Sequence, residues 1–170
     1  MAFVDGSLGP RVRWAFADRT DGVSAAPYDA CNLADHVGDD LDLVRANRAA
    51  LARAVGVDGA HVVTMAPVHG NDVGHVGGPT AEPLPEVDAL VTTVPGVALL
   101  VLAADCVPVV LGGGEDGVVA VVHAGWRGVR SDVVGATLAS MADLGVRLDR
   151  VRAVVGPAIC GRCYDVPRSR

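Results

Sequence analysis

Between residues 88 and 122 the chain sets out four short apolar runs, 88–92, 97–102, 107–111 and 118–122, and this pattern constrains the fold more than any other feature. Runs of five or six residues bounded by Gly, Pro and Asp have the length of strands buried in a sheet. The longest apolar stretch, 97–111, is shorter than the roughly 18 residues of a membrane span and holds Asp105 and Pro108. It reads as a pair of buried strands. The segment Gly112-Gly113-Gly114-Glu115-Asp116-Gly117 then reads as a hairpin turn into 118–122. With 51% hydrophobic but only 4% aromatic residues, the core has to be filled by Val, Leu and Ala packed by shape.

The rest of the chain supplies helices and one long loop. Residues 11–16 alternate polar and apolar as a strand, and 18–40, rich in Gly, Asp, Asn and Pro, reads as a loop. Loops of this length in a compact domain are usually functional, so Asn32 and His36 are candidates to line a site, with ordinary turn chemistry as the alternative. Asp39 and Asp40 are cap candidates for a helix whose apolar positions are Leu41, Val44, Leu51 and Val55, and Gly56 stops it. Arg48 falls on the same stripe, where a guanidinium needs an anion, an internal carboxylate or an escape to solvent. Residues 61–65 and 151–155 read as further strands. A second helix is expected from a Ser131 cap, with Val134, Leu138, Met141 and Leu144 on its apolar face and Gly145 at its end. These elements predict one α+β domain over residues 1–170, with mixed sheets flanked by two helices.

A net charge of -6 and a pI near 5.2 leave no cationic stripe for a nucleic-acid backbone. The N-terminal stretch has Asp5 and no long apolar segment, so neither a secretory signal nor a membrane anchor is expected, and a reducing, cytoplasmic location follows. Four cysteines at irregular spacing do not make a disulfide framework.

Chemistry concentrates at strand-to-loop transitions. His69 follows a Val and precedes a Gly, Cys106 lies in Ala-Asp-Cys-Val-Pro, and His123 opens His-Ala-Gly-Trp-Arg-Gly. Two imidazoles and a thiolate form a three-donor zinc set that leaves a fourth position for water, although their spacing alone equally allows a structural cysteine and two loop histidines. A Cys106 nucleophile with His123 as base is a second reading. Arg127, within Gly125 to Gly128 before a helix, could hold an anion. The Cys160-Gly161-Arg162-Cys163 pair could be redox-active or a zinc half-site, but packing or pocket lining is the expectation.

One family joins these words. The segments Asp21-Gly22-Val23-Ser24, Pro27-Tyr28, Asn32-Leu33, His36-Val37-Gly38-Asp39, Asn47-Arg48, Val68-His69-Gly70, Asp88-Ala89-Leu90-Val91-Thr92, Ala104-Asp105-Cys106-Val107-Pro108, His123-Ala124-Gly125-Trp126-Arg127-Gly128 and Gly156-Pro157 to Tyr164 occur in the order of the laccase-domain, polyphenol-oxidase-like family. The sequence resembles its purine nucleoside phosphorylases, which also deaminate adenosine and cleave methylthioadenosine. That resemblance implies a layered α/β/β/α fold, zinc on His69, Cys106 and His123, and a substrate-site Arg48. It further implies purine nucleosides and phosphate as partners. Asp105, beside a ligand, is then a candidate proton shuttle or an orienting group, and Asn32, His36 and Arg127 join Arg48 as candidate substrate contacts. Copper, suggested by the older family label, is the lesser expectation, because a multicopper centre needs close histidine pairs and this chain has five scattered histidines. Pro67 stands where the family commonly has Gln, and the family continues beyond the Tyr164 region. An inactive nucleoside-binding remnant is therefore a further alternative, and exposed apolar surface near residues 151–155 and 160–164 is expected, with either self-association through that face or marginal stability as its consequence.

Overall fold

The computed structural model describes residues 3–164. In chain order the elements are β1 (Phe3–Gly9), β2 (Val12–Ala17), α1 (Leu41–Ala54), β3 (Val62–Ala66), β4 (Val73–Val76), β5 (Leu84–Pro85), β6 (Ala89–Thr92), β7 (Ala98–Leu100), β8 (Val107–Gly112), β9 (Val119–Ala124), α2 (Trp126–Arg130), α3 (Val133–Asp143) and β10 (Arg152–Val155). The strands form a five-stranded sheet in the order β10-β8-β9-β6-β4, a three-stranded sheet β5-β3-β7 and the hairpin β1-β2.

The central strands are apolar without alternation because both faces of their sheet are covered. Successive side chains point to opposite faces. Ala89, Val91, Val109, Leu111, Ala120 and Val122 pack with Val133 and Met141 of α3, whereas Leu90, Val110 and Val121 pack with Leu8 and Val12 of the hairpin and Val63 and Met65 of β3. One strand run thus serves two cores. The mixed sheets and flanking helices agree with the expected fold class.

Several local expectations change. Residues 97–102 shorten to β7, which pairs in parallel with β3 and not with its chain neighbour β8. The segment after Leu100 crosses from one sheet to the other, so its apolar residues serve a crossing and not a longer strand. Ser131 ends α2 instead of starting α3: its hydroxyl donates back to the Arg127 carbonyl at 3.0 Å. The cap of α3 is Asp132, in the left-handed region at φ 62°, whose carboxylate accepts from Gly135 N. Strands β1, β4 and β5 were not expected, since Gly6, Gly74 and Pro85 interrupt their apolar pattern. β10 forms a sheet edge with Val155 63% exposed, while Val154 packs inward against the second core.

The long loop is held by a residue that the apolar stripe of α1 hides. Asn47 is 1% exposed. Its amide nitrogen donates to Ser24 Oγ, Ala30 O and Asn32 O, and its Oδ1 accepts from Val23 N at 3.0 Å. Asn47→Ala would orphan several buried groups at once, so unfolding in urea should show a loss of about 2 to 3 kcal/mol, against less than about 0.5 kcal/mol for Arg45→Ala on the exposed side. Equal stability of the two variants would remove Asn47 as the anchor.

Candidate metal centre

Strand register creates the site. In the β8–β9 hairpin Val107 lies opposite Ala124, and in the β6–β9 pair Ala89 lies opposite Val122. Cys106 and His123 therefore emerge at neighbouring strand ends, with Asp88 one residue before β6 on the other side of His123. His123 N donates to the Asp88 carbonyl at 2.8 Å, extending that pairing by one bond. The loop after β3 brings His69 from the third side.

The donor atoms of His69, Cys106 and His123 all lie within 4.8 Å of one another, the sole such group of three or more found among the described residues. Cys106 Sγ is 3.8 Å from His69 Nε2, and the two imidazoles meet edge to face with centroids 4.8 Å apart. Donor atoms on one tetrahedral zinc stand roughly 3.3 to 3.6 Å apart, so the trio needs only small side-chain shifts to close on a metal. His123 is 5% exposed and His69 faces solvent. A metal there would meet protein on one side and open space on the other.

Asp88, fully buried, is the residue that sequence reading missed. Its Oδ1 lies 2.9 Å from His123 Nδ1 and accepts from His69 N, while Oδ2 accepts from Val68 N and Gly70 N at 3.1 and 2.7 Å. Three successive amides thus converge on one carboxylate, and this holds His69 at φ 63°, a conformation that costs a non-glycine residue about 1 kcal/mol or more. Burial would push the Asp88 carboxyl up, but the His123 hydrogen bond and then the three amides outweigh it and hold the group below its ordinary value. An ionised Asp88 keeps the His123 proton on Nδ1 and leaves Nε2 free as a donor to metal. The sequence signals were its place at the head of the 88–92 strand run and in the family word Asp88-Ala89-Leu90-Val91-Thr92, and neither assigned it a role in the site.

Burial pushes the Cys106 thiol up, and the Asp105 and Asp88 carboxylates add to this. A raised thiol is the opposite of what an activated cysteine nucleophile needs, and the ring nitrogen paired with its sulfur belongs to His69, not to the expected base His123. The donor set fits a metal better than it fits a hydrolytic pair.

Gly125 is required by this geometry. A Cβ on it would stand 2.6 Å from His69 Cδ2 and 3.0 Å from Cys106 Sγ. Gly125→Ala should therefore displace two donors while leaving all three in the sequence, with zinc affinity falling about tenfold or more in a chelator competition. Unchanged affinity would mean that the trio does not share one ion.

The remaining expected site residues lie elsewhere or stay exposed. Arg48 makes its polar contacts within the long loop. Its Nη2 pairs with Asp35 at 3.1 Å and its Nε donates to Leu33 O, the internal-carboxylate solution to a guanidinium on an apolar stripe. Burial opposes ionisation of Asp35, but the Arg48 charge and hydrogen bond prevail and lower its pKa. The cavities bordered by Arg48, one with Thr64 and Thr80 and one with Trp14 and Phe16, include none of the three donors. Asn32 donates to Asp39 Oδ2 and Ala34 O, and His36 pairs loosely with Asp35 at 3.6 Å, so both serve the loop. Arg127 is exposed and stacks over the Trp126 ring at 5.3 Å. Asp105 is exposed, and its carbonyl accepts from Ile159 N at 3.1 Å.

A mixed α/β domain with two imidazoles and a thiol converging at its strand ends defines a class of proteins equipped to hold a metal at an open site. The chain belongs to the family described as multi-copper polyphenol oxidoreductase laccase, which it matches over residues 13–170. It is 51% identical to a purine nucleoside phosphorylase of Streptomyces coelicolor over 155 residues, 91% of this chain and 64% of that protein. An adenosine deaminase of an unknown prokaryotic organism is 38% identical over 156 residues, 87% of this chain and 59% of that one. Among solved structures, the YlmD protein of Geobacillus stearothermophilus superposes with a TM-score of 0.84 at 31% identity, covering 89% of this chain and 59% of that one. The chain thus spans just under two thirds of the length of the first curated relatives it matches. No helix among the described residues is long and apolar enough to cross a membrane.

Proposed function

We propose that the chain carries the metal centre of a zinc-dependent purine nucleoside phosphorylase with adenosine deaminase as a second activity. The observation that supports this reading most is the convergence of His69, Cys106 and His123 with Asp88 behind His123. The names of the relatives supply the reaction classes, phosphorolysis and deamination. When bound, zinc would supply Lewis acidity and lower the pKa of water at the open position.

The chain's own groups do the rest. Asp88 fixes the His123 tautomer, and Cys106 gives up its thiol proton as it becomes a ligand, so metal uptake releases a proton. Asp105, exposed beside Cys106, is the proposed proton carrier for deamination. Arg127, exposed in the first turn of α2, is the proposed phosphate contact, joined by Arg48 when an anion displaces Asp35 from it.

The test is zinc content by mass spectrometry together with inosine phosphorolysis and adenosine deamination by the purified chain. About one zinc per chain with turnover that a chelator removes supports the proposal. Metal-free protein with chelator-resistant turnover refutes it. Arg48→Met keeps most of the stem volume and should raise the phosphate KM about tenfold with little change in fold. Loss of stability with an unchanged phosphate KM would leave Arg48 as a purely structural partner of Asp35.

A further inference from the structure

Two cysteines outside the metal centre face each other in the turn after β10. Cys163 N donates to Cys160 O at 2.9 Å, folding Gly161 and Arg162 into a tight bend that sets the two Sγ atoms 3.1 Å apart. Both residues are free thiols and exposed to solvent. The stem of the turn is pinned: Gly156 N donates to Pro108 O at 2.9 Å and Ile159 N to Asp105 O at 3.1 Å. The sulfurs are thus presented together on a fixed base, and side-chain rotation suffices to join them.

We propose that Cys160 and Cys163 form a redox-active dithiol that exchanges with small-molecule disulfides, with Cys160 as the attacking sulfur. The Cys160 thiolate attacks one sulfur of the external disulfide, and the first external thiolate leaves and takes a proton from water. Cys163 then loses its proton and attacks the Cys160 sulfur of the mixed disulfide, expelling the second external thiolate. Two protein thiols are oxidised to one disulfide while the external disulfide is reduced to two thiols.

The order of attack follows from the surroundings of each sulfur. As a thiolate, Cys160 accepts from the Cys163 thiol and from the Arg162 and Cys163 amides, which hold it below the ordinary thiol value, whereas the same pairing pushes Cys163 up. The other two cysteines compete poorly, because Cys31 is 4% exposed with its thiol pushed up by burial, and Cys106 is only partly exposed and lies against His69.

Trypsin cleaves after Arg162, between the two cysteines, so only an oxidised chain yields linked peptides. Full chain incubated with oxidised glutathione should give peptide 153–162 joined to 163–168, about 2 Da below the summed reduced peptides because two hydrogens are lost. Cys163→Ser should stop at a glutathione adduct on Cys160. Cys160→Ser should form its adduct on Cys163 at least about threefold more slowly at neutral pH. Separate adducts on both cysteines, or unreacted thiols, with no linked peptide would overturn the dithiol. Equal rates in the two variants would overturn the choice of Cys160.

Discussion

Replacing Asp88 by Asn should lower zinc affinity by about 10- to 100-fold without touching any of the three donors, because Asp88 fixes both histidines. The carboxylate takes four hydrogen bonds, one from the His123 ring and three from the amides of Val68, His69 and Gly70. Asn keeps the volume but offers one acceptor oxygen, and its NH2 turns two donor hydrogens toward groups that are themselves donors. The His123 tautomer and the left-handed turn at His69 both loosen. Asp88→Ala goes further: a fully buried anion that anchors two segments disappears, and the loss of unfolding free energy should be about 3 to 5 kcal/mol. Chelator competition on the Asn variant and urea unfolding of the Ala variant measure the two effects. Normal zinc affinity in Asp88→Asn would show that the carboxylate serves the fold alone.

Cys106→Ala should abolish tight zinc binding, with affinity falling at least about 100-fold, more than for any outer partner, since a thiolate donor is removed outright. The fold should survive. Cys106 is only half-buried at the mouth of β8, outside both hydrophobic cores, and Ala leaves a small gap that opens toward solvent. Stability within about 1 kcal/mol of the parent, with neither zinc nor turnover, is the expected combination. Full zinc stoichiometry and parental affinity in this variant would remove Cys106 from the donor set and move the site elsewhere.

The fold and the centre differ in how far residue pattern alone could reach. Period and length sufficed for the central sheet: the runs at 88–92, 107–111 and 118–122 are short and predominantly apolar, as strands covered on both faces are, and Asp40 and Asp132 illustrate a cap found as one of two candidates and a cap missed by one residue. Motif words located His69, Cys106 and His123, yet their spacing of 37 and 17 residues carried no statement about proximity. Proximity came from register, which seats Cys106 beside the end of β9 and Asp88 beside His123, and a register is settled by how whole strands pack. The same holds for Arg48 and Asn47, neighbours on one helical stripe. Their sequence shows two polar residues where apolar ones belong, but only the folded loop supplies Asp35 and Leu33 O to the first and Val23, Ser24, Ala30 and Asn32 to the second. Chain-local physics therefore determined the strands, the helices and the donor types. Tertiary contacts, through polar partners 13 to 35 residues away in sequence, decided which polar groups serve the fold and which converge on the candidate metal.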